Sequence, residues 1–254
     1  MSPNPWLHGF RAVASPRRTL VCFPQAGAGA AVYRDWHRHL DPRDELLAVR
    51  LPGRESRIAE RSLTAVADAV PGIVAALASR LDRPLVLFGH SLGAALAYAT
   101  ARALVEQGTP PRLLAVSARR APHLPLRRTH SRKLDDAAFR ERIAALGGTP
   151  PEVLACADLM ALMLPMLRAD FIMSDDFAAP VPAPVPTPLP VPMLAFAGTD
   201  DPEVTVDEVA AWECYAGAGF ALHRLPGGHF FPHEHQHTIV KATMSDDFTA
   251  IINA

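Results

Sequence analysis

The sequence predicts an α/β protein with a mostly parallel central sheet, helices on both faces and a helical insertion. Three observations predict this fold class. Short, continuous apolar runs recur along the chain without the polar alternation of a sheet that faces water on one side. Segments with apolar residues at helical spacing separate these runs. The alternation stops near Pro122 and resumes near Pro190, with only helix-like segments between.

The first half of the chain supplies four predicted strands and three predicted helices. The strands are TLVCFP (19–24), ELLAVRLP (45–52), PLVLFG (84–89) and RLLAVSA (112–118). The helices are AVYRDWHRHL (31–40), SLTAVADAVPGIVAALASRL (62–81) and SLGAALAYATARALVEQG (91–108). Pro71 predicts a kink or a break in the second helix. Gly108 followed by Pro110 predicts the end of the third.

The second half begins with the predicted insertion. Two successive amphipathic helices are expected over 134–148 and 151–177, and the proline-rich segment 180–192 should be extended. The alternation then resumes with strand 192–198, helix 206–217, strand 220–227 and a closing helix over 233–253. We therefore predict a single domain over 1–254, with the insertion at about 124–180.

Composition narrows the classes of function. The chain has 254 residues, 49% apolar and 20% charged, which is enough to build a sizeable core. Its net charge of -1 provides no field that would attract nucleic acid or an anionic membrane. We find no secretory signal and no apolar run that spans a bilayer. The three cysteines form no CxxC pair and fit a reducing cytoplasm, where we expect the protein.

The segment GHSLG (89–93) fits the G-x-S-x-G nucleophile elbow. A buried strand precedes it and a helix follows it, as this motif requires. So tight a turn tolerates only small flanking side chains, and it presents the hydroxyl of Ser91 at a helix N-terminus, which favours developing negative charge. The pattern alone is short enough to recur by chance as a glycine-rich turn.

A nucleophilic serine needs a base, and the base needs an orienting acid. In this motif's fold they follow in the order Ser, Asp or Glu, His, each after a late strand. Asp200 and Asp201 follow one predicted strand, and His229 follows the next in a glycine-flanked loop. Asp201 is favoured because it lies three residues after Gly198 and directly before a proline. One aspartate of the pair is expected to cap the helix that begins near Thr205.

The remaining histidines favour no metal site. His233, His235 and His237 alternate near the C-terminus, but no carboxylate or cysteine pattern accompanies them, so we interpret them as exposed residues at a helix start. His90, inside the elbow, is interpreted as a packed or hydrogen-bonded neighbour.

An oxyanion hole requires two N–H groups aimed at the tetrahedral oxygen. The residue after the nucleophile, Leu92, supplies one, and the loop after an early strand supplies the other. That loop is FPQAGAGAA (23–31), in which Gln25 or Ala26 would donate. The loop lacks the lysine of a phosphate-binding loop and the full G-x-G-x-x-G spacing, which argues against nucleotide binding.

With these residues in place, the chain resembles the type II thioesterases associated with polyketide and nonribosomal peptide synthases. The segments that carry the resemblance are CFPQAGAGA, LPGRESR, GHSLGA, SARRAPHLP, LPMLRADF and GGHFF. The resemblance implies an α/β-hydrolase fold with a mobile helical lid. It also implies Ser91 as nucleophile, His229 as base, Asp201 as orienting acid, and an oxyanion hole formed by Ala26 and Leu92.

The implied function is editing by a stand-alone enzyme, which hydrolyses acyl groups from the phosphopantetheine arm of acyl or peptidyl carrier proteins. No metal or organic cofactor is expected. Two other readings stay open: a general carboxylesterase, lipase or acyl-CoA hydrolase on the same fold, or a non-catalytic hydrolase-like binding protein. The leucines and methionines around 159–167 suit an apolar acyl pocket or the core of the lid. The basic segment RRTHSRK (127–133) suits either carrier docking or a solvated face.

Overall fold

A seven-stranded sheet organises the computed structural model, which describes residues 4–177 and 187–247. The strands are β1 Leu7–Gly9, β2 Arg18–Phe23, β3 Asp44–Val49, β4 Leu85–His90, β5 Leu113–Ser117, β6 Met193–Gly198 and β7 Phe220–Leu225. Their order across the sheet is β1-β3-β2-β4-β5-β6-β7. β1 pairs antiparallel with β3, and the other neighbours pair in parallel. The predicted mostly parallel sheet is confirmed.

The edge strand β1 is absent from the sequence prediction. It has three residues, LHG, and they are only partly buried or exposed. Such a segment has no continuous apolar run to reveal it. It is a strand because its backbone pairs with β3, where Leu7 lies opposite Val49. Tertiary pairing, not local sequence, therefore defines it.

The α-helices lie where helical spacing predicts them, with shorter bounds. They are α1 Val66–Leu77, α2 Leu92–Glu106, α3 Asp136–Leu146, α4 Pro151–Ala155, α5 Ala157–Asp176, α6 Val206–Ala210 and α7 Gln236–Thr243. The predicted helix over 31–40 is a 3-10 helix, Ala30–His39. The later part of the predicted helix over 206–217 is also a 3-10 helix, Ala211–Tyr215. Helices α3, α4 and α5 lie between β5 and β6, and we call them the insertion.

Two details of the helices differ from expectation. Pro71 lies inside α1 without breaking it, because the buried Ala69 and Ile73 hold the helix against the sheet at the cost of one backbone hydrogen bond. The predicted helix over 151–177 is divided at Cys156, whose extended backbone separates α4 from α5. The predicted extended segment over 180–186 and the end of the closing helix, 248–253, lie outside the described residues.

Both faces of the sheet are covered by apolar cores, as continuous apolar strands require. In β2, Val21 and Phe23 belong to the core beneath α1 and α2, whereas Leu20 and Cys22 belong to the core beneath α7. The insertion has a third core of its own, formed by Phe139, Ile143, Met160, Leu164, Leu167 and Phe171. Within the described residues, no helix is long and apolar enough to cross a bilayer.

Candidate active site

The turn between β4 and α2 holds Ser91 in a conformation that L-residues rarely adopt. Its backbone angles are φ 54 and ψ -116, outside the allowed regions for a side chain with a Cβ. The turn is held by the N–H of Ser91, which donates to the carbonyl of Ser117 at 2.8 Å. Strain of this kind persists where the surroundings over-determine it, and it is common at functional sites.

The two glycines of GHSLG are required by close backbone approach. A Cβ on Gly89 would lie 2.1 Å from the carbonyl oxygen of Gly93. A Cβ on Gly93 would lie 1.9 Å from the carbonyl oxygen of Phe23, at the end of β2. Because both neighbours are backbone atoms, neither can move aside without displacing a strand or a helix. The structure thus explains the small residues that the sequence places around Ser91.

The structure brings Ser91, His229 and Asp201 into one hydrogen-bonded row. His229 Nε2 lies 3.0 Å from Ser91 Oγ, and His229 Nδ1 lies 2.8 Å from Asp201 Oδ2. A carboxylate only accepts, so Nδ1–H donates to Asp201 and Nε2 is left to accept from the serine hydroxyl. The imidazole is buried and the Asp201 side chain is only 1% exposed. This row has the geometry of a nucleophile, a base and an orienting acid.

Asp201 and its neighbour Asp200 have different roles in the loop after β6. The second oxygen of Asp201 accepts from the N–H groups of Glu203 and Val204, which fixes the carboxylate towards His229. Asp200 is exposed and accepts from the Thr199 hydroxyl and from a backbone N–H. Neither aspartate caps α6: Thr205 does so, in a capping box with Glu208. The expectation that one of the pair caps this helix was therefore wrong.

The loop after β2 presents backbone N–H groups beside Ser91. It turns tightly, since the N–H of Ala28 donates to the Gln25 carbonyl at 3.1 Å and Gly27 has φ 77. Gln25 and Ala26 line the same cleft as Ser91. Within the described residues, the N–H groups of Ala26 and Leu92 make no hydrogen bond. Both are therefore available as the two donors that the sequence analysis predicts for the oxyanion hole.

A buried ion pair that the sequence analysis did not single out supports this loop. Asp170 of α5 is 0% exposed and accepts from both Nη groups of Arg54, at 2.8 and 2.6 Å. The same carboxylate accepts from the N–H of Gly27 at 2.8 Å, and Arg54 Nη1 donates to the Ala28 carbonyl at 2.9 Å. The pair thus joins the insertion to the loop after β2. Both residues lie in segments that carried the resemblance, LPGRESR and LPMLRADF, which is the signal that could have identified them.

His90 packs behind the row and makes no contact with Ser91 Oγ. Its Nδ1 lies 3.1 Å from Ser117 Oγ, and its Nε2 is buried without a partner among the described residues. Its ring centroid lies 5.3 Å from that of His229. Burial, followed by the neighbouring His229 and His233, lowers the pKa of His90 well below its ordinary value. The ring therefore stays neutral.

The three C-terminal histidines each contact a different part of the chain. His235 bonds the Pro226 carbonyl at 2.9 Å, His237 packs edge-on against His39, and His233 stacks on Phe230. His233 and His237 are exposed and His235 is half-buried. In the parts of the chain that the structure describes, no group of three or more His, Cys, Asp or Glu side chains could hold a metal ion.

A cleft of about 750 Å³, counting its open mouth, lies over Ser91 and His229. The insertion contributes Leu146, Phe171 and Ser174 to its lining. No leucine or methionine of α5 is among the residues that line it. Met160, Leu164 and Leu167 pack in the core of the insertion, whereas Leu159 and Leu162 are exposed. Of the two interpretations of that apolar stretch, the structure favours the core of the lid.

Three of the four arginines and lysines in the basic segment 127–133 pair with carboxylates of the same chain. Arg127 pairs with Glu208, Arg128 with both Glu203 and Asp175, and Arg132 with Asp176. These ion pairs join the start of the insertion to α5, to the loop after β6 and to α6. Because these three arginines already contact carboxylates of the chain, the structure favours the structural interpretation of the segment.

Comparison with known proteins identifies the family. A profile of thioesterase domains matches residues 18–246. The chain is 37% identical over 237 residues to thioesterase PikA5 of Streptomyces venezuelae, covering 92% of this chain and 82% of that protein. It is 34% identical over 244 residues to the linear gramicidin dehydrogenase LgrE of Brevibacillus parabrevis, covering 94% and 91%. The loop 23–31 of this chain lacks the dinucleotide-binding spacing that the dehydrogenase in that protein's name would lead one to expect.

A solved structure agrees with the family match. YbtT, a type II thioesterase from the yersiniabactin NRPS/PKS biosynthetic pathway, superposes with a TM-score of 0.84 at 29% identity, covering 98% of this chain and 97% of that one. The likeness confirms the predicted α/β-hydrolase fold.

Proposed function

The chain belongs to the thioesterase family and is a thioester hydrolase, and on that premise we propose which groups it removes and how. As a type II thioesterase, it removes acyl groups from the phosphopantetheine arm of acyl or peptidyl carrier domains of a polyketide or nonribosomal peptide synthase. The likeness to PikA5, a thioesterase, and to YbtT, a type II thioesterase from an NRPS/PKS pathway, supports this substrate class.

In the proposed reaction, Ser91 attacks the thioester carbonyl while His229 Nε2 takes the hydroxyl proton. Asp201 keeps the imidazole in the tautomer that accepts this proton and stabilises the imidazolium that forms. The N–H groups of Ala26 and Leu92 donate to the oxygen that becomes negative; losing one such donor costs on the order of 10²–10³ in turnover.

Collapse of the first tetrahedral intermediate breaks the carbon–sulfur bond, and His229 returns its proton to the departing thiolate. Water then enters, His229 deprotonates it, and attack on the acyl-Ser91 ester releases the free acid and restores the hydroxyl. As proposed, these steps use no metal ion and no organic cofactor. The cytoplasmic location and the single-domain organisation over 1–254 stay predictions.

The observation that carries the proposal is the pair of contacts made by His229, 3.0 Å to Ser91 and 2.8 Å to Asp201. The test is to incubate the protein with acyl-loaded carrier protein and with matching oxygen esters. We expect hydrolysis of the carrier thioester that Ser91→Ala abolishes and that the exposed Ser56→Ala leaves unchanged. Hydrolysis confined to oxygen esters would favour the carboxylesterase alternative, and activity that survives Ser91→Ala would overturn the mechanism.

A further inference from the structure

One wall of the cleft carries more positive than negative charge. Among the described residues that line it are three arginines, Arg119, Arg120 and Arg128, but one carboxylate, Glu203. Two of the three cations are neutralised: Arg120 pairs with Glu208 at 3.2 Å, and Arg128 pairs with Glu203 at 2.8 Å. The third has no such partner.

Arg119 is buried and makes no direct ion pair among the described residues, because the nearby carboxylate, Asp175, is already paired with Arg128 and Arg142. It is 9% exposed. Its Nη groups donate to Oγ and to the carbonyl of Ser174, at 2.6 and 2.7 Å, while its Nε has no partner. Burial and the nearby Arg128 lower its pKa to about 10, although Asp175 opposes this shift, so the guanidinium stays charged at neutral pH. Asp175 therefore compensates this buried charge only in part, and a buried charge that is incompletely compensated is costly.

Arg119 is also close to the nucleophile along the backbone. It follows Ser117 by two residues, and the Ser117 carbonyl accepts the N–H of Ser91 at 2.8 Å. Its guanidinium is held in place by Ser174 and lies 5.4 Å from the centre of the Phe177 ring. A cation held in this way loses little conformational freedom when it binds an anion.

We propose that Arg119 forms an anion subsite within the acyl-binding cleft, and that the subsite accepts a carboxylate carried by the acyl group itself. The inference rests on the proposed function and names the substrate class more narrowly: monothioesters of short dicarboxylic acids. A guanidinium binds a carboxylate through charge-assisted hydrogen bonds. The phosphate of a phosphopantetheine arm also binds arginine, but it lies at the far end of the arm from the thioester, whereas Arg119 lines the same cleft as Ser91.

The test compares paired thioesters on a short thiol that contains no phosphate. Malonyl and succinyl thioesters are measured against butyryl and pentanoyl thioesters of comparable length, as kcat/KM for wild type, Arg119→Gln, Arg119→Lys and Ser174→Ala. We expect Arg119→Gln to lower the ratio of dicarboxylic to monocarboxylic activity by roughly 10- to 100-fold. Arg119→Lys, which retains the charge, should retain part of the ratio.

Ser174→Ala is the control for a purely structural role. It removes a hydrogen bond of Arg119 while leaving its charge, so a structural role predicts that Ser174→Ala and Arg119→Gln lower both substrate classes alike. That result, or a wild-type ratio that Arg119→Gln does not change, would overturn the subsite. A loss that appears only with phosphopantetheine thioesters and not with the short thiol would reassign Arg119 to the phosphate. Absence of Ser91-dependent hydrolysis of any thioester would instead refute the proposed function.

Discussion

The Arg54–Asp170 pair gives the sharpest stability prediction, because a single carboxylate holds both the insertion and the loop after β2. Asp170→Asn preserves the shape of the side chain and removes its charge. Arg54, whose side chain is 5% exposed, is then left as an uncompensated buried cation. Removing one partner of a buried pair costs about 3–5 kcal/mol, so we expect the free energy of unfolding to fall by that amount in a denaturant titration.

The same substitution should also lower turnover. Asp170 accepts from the N–H of Gly27, next to the proposed donor Ala26, so a change at this anchor moves the loop relative to Ser91. We expect kcat to fall roughly 10²-fold, close to the loss of one oxyanion donor, with a smaller change in KM. Steady-state kinetics on a small thioester measures both.

Two further variants test whether the loss of the Arg54–Asp170 pair causes these effects. Arg54→Met combined with Asp170→Asn removes both charges, so it should recover much of the stability but not the turnover, since the loop stays unanchored. Glu106→Gln breaks an exposed pair with Arg102 on α2 and should cost less than about 0.5 kcal/mol. An Asp170→Asn protein as stable and as active as wild type would refute the argument.

Three more predictions follow from the same geometry. Asp201→Asn should lower kcat on the order of 10⁴-fold, because it removes the carboxylate that accepts from His229 Nδ1–H. The control Asp200→Asn should change kcat only a few-fold. Equal losses in kcat would refute the assignment of Asp201 as the orienting acid. Gly93→Ala should destabilise the fold by about 3 kcal/mol or more in denaturant unfolding, because the added Cβ would lie 1.9 Å from the Phe23 carbonyl oxygen. The control Gly9→Ala should be nearly neutral, because its Cβ would lie 3.4 Å from the nearest atom, in the Leu47 side chain. Burial lowers the pKa of His90, so at acid pH the unfolded chain takes up a proton that the folded chain does not. The free energy of unfolding should therefore fall as the pH drops below about 6.5, by up to about 1.4 kcal/mol per pH unit from this group. His90→Asn should reduce that slope between pH 7 and pH 5, and an unchanged slope would contradict the linkage.

The sheet and the positions of the reactive residues were predictable because they depend on local patterns. A buried parallel strand reads as a continuous apolar run, and the carboxyl ends of such strands meet at one edge. Ser91, Asp201 and His229 each follow such a run, so their order in sequence predicted their meeting in space. Asp201 was preferred over Asp200 for its place before a proline, and the hydrogen bond to His229 agrees with that preference.

What the sequence could not predict depends on contacts between distant segments. β1 exists only because β3 lies beside it. The cap of α6 is different, because Thr205 directly precedes Val206 and forms with Glu208 a local capping-box pattern that the sequence analysis overlooked. The ion pairs of the basic segment 127–133 join it to residues 44–81 positions away in sequence, and no local pattern indicates a partner so remote.

The contacts of α5 give a structural role to segments that carry the family resemblance but contain none of the three residues Ser91, Asp201 and His229. Asp170 binds Arg54 and the loop after β2, and four residues later Ser174 binds Arg119, which follows β5. Residues four apart share one helix face, so a single face of α5 contacts the loop that offers the Ala26 N–H and the arginine proposed to select the acyl group. Displacing α5 would therefore alter oxyanion binding and acyl selection together. In variants of this helix, we accordingly expect losses in kcat to accompany losses in the preference between dicarboxylic and monocarboxylic thioesters.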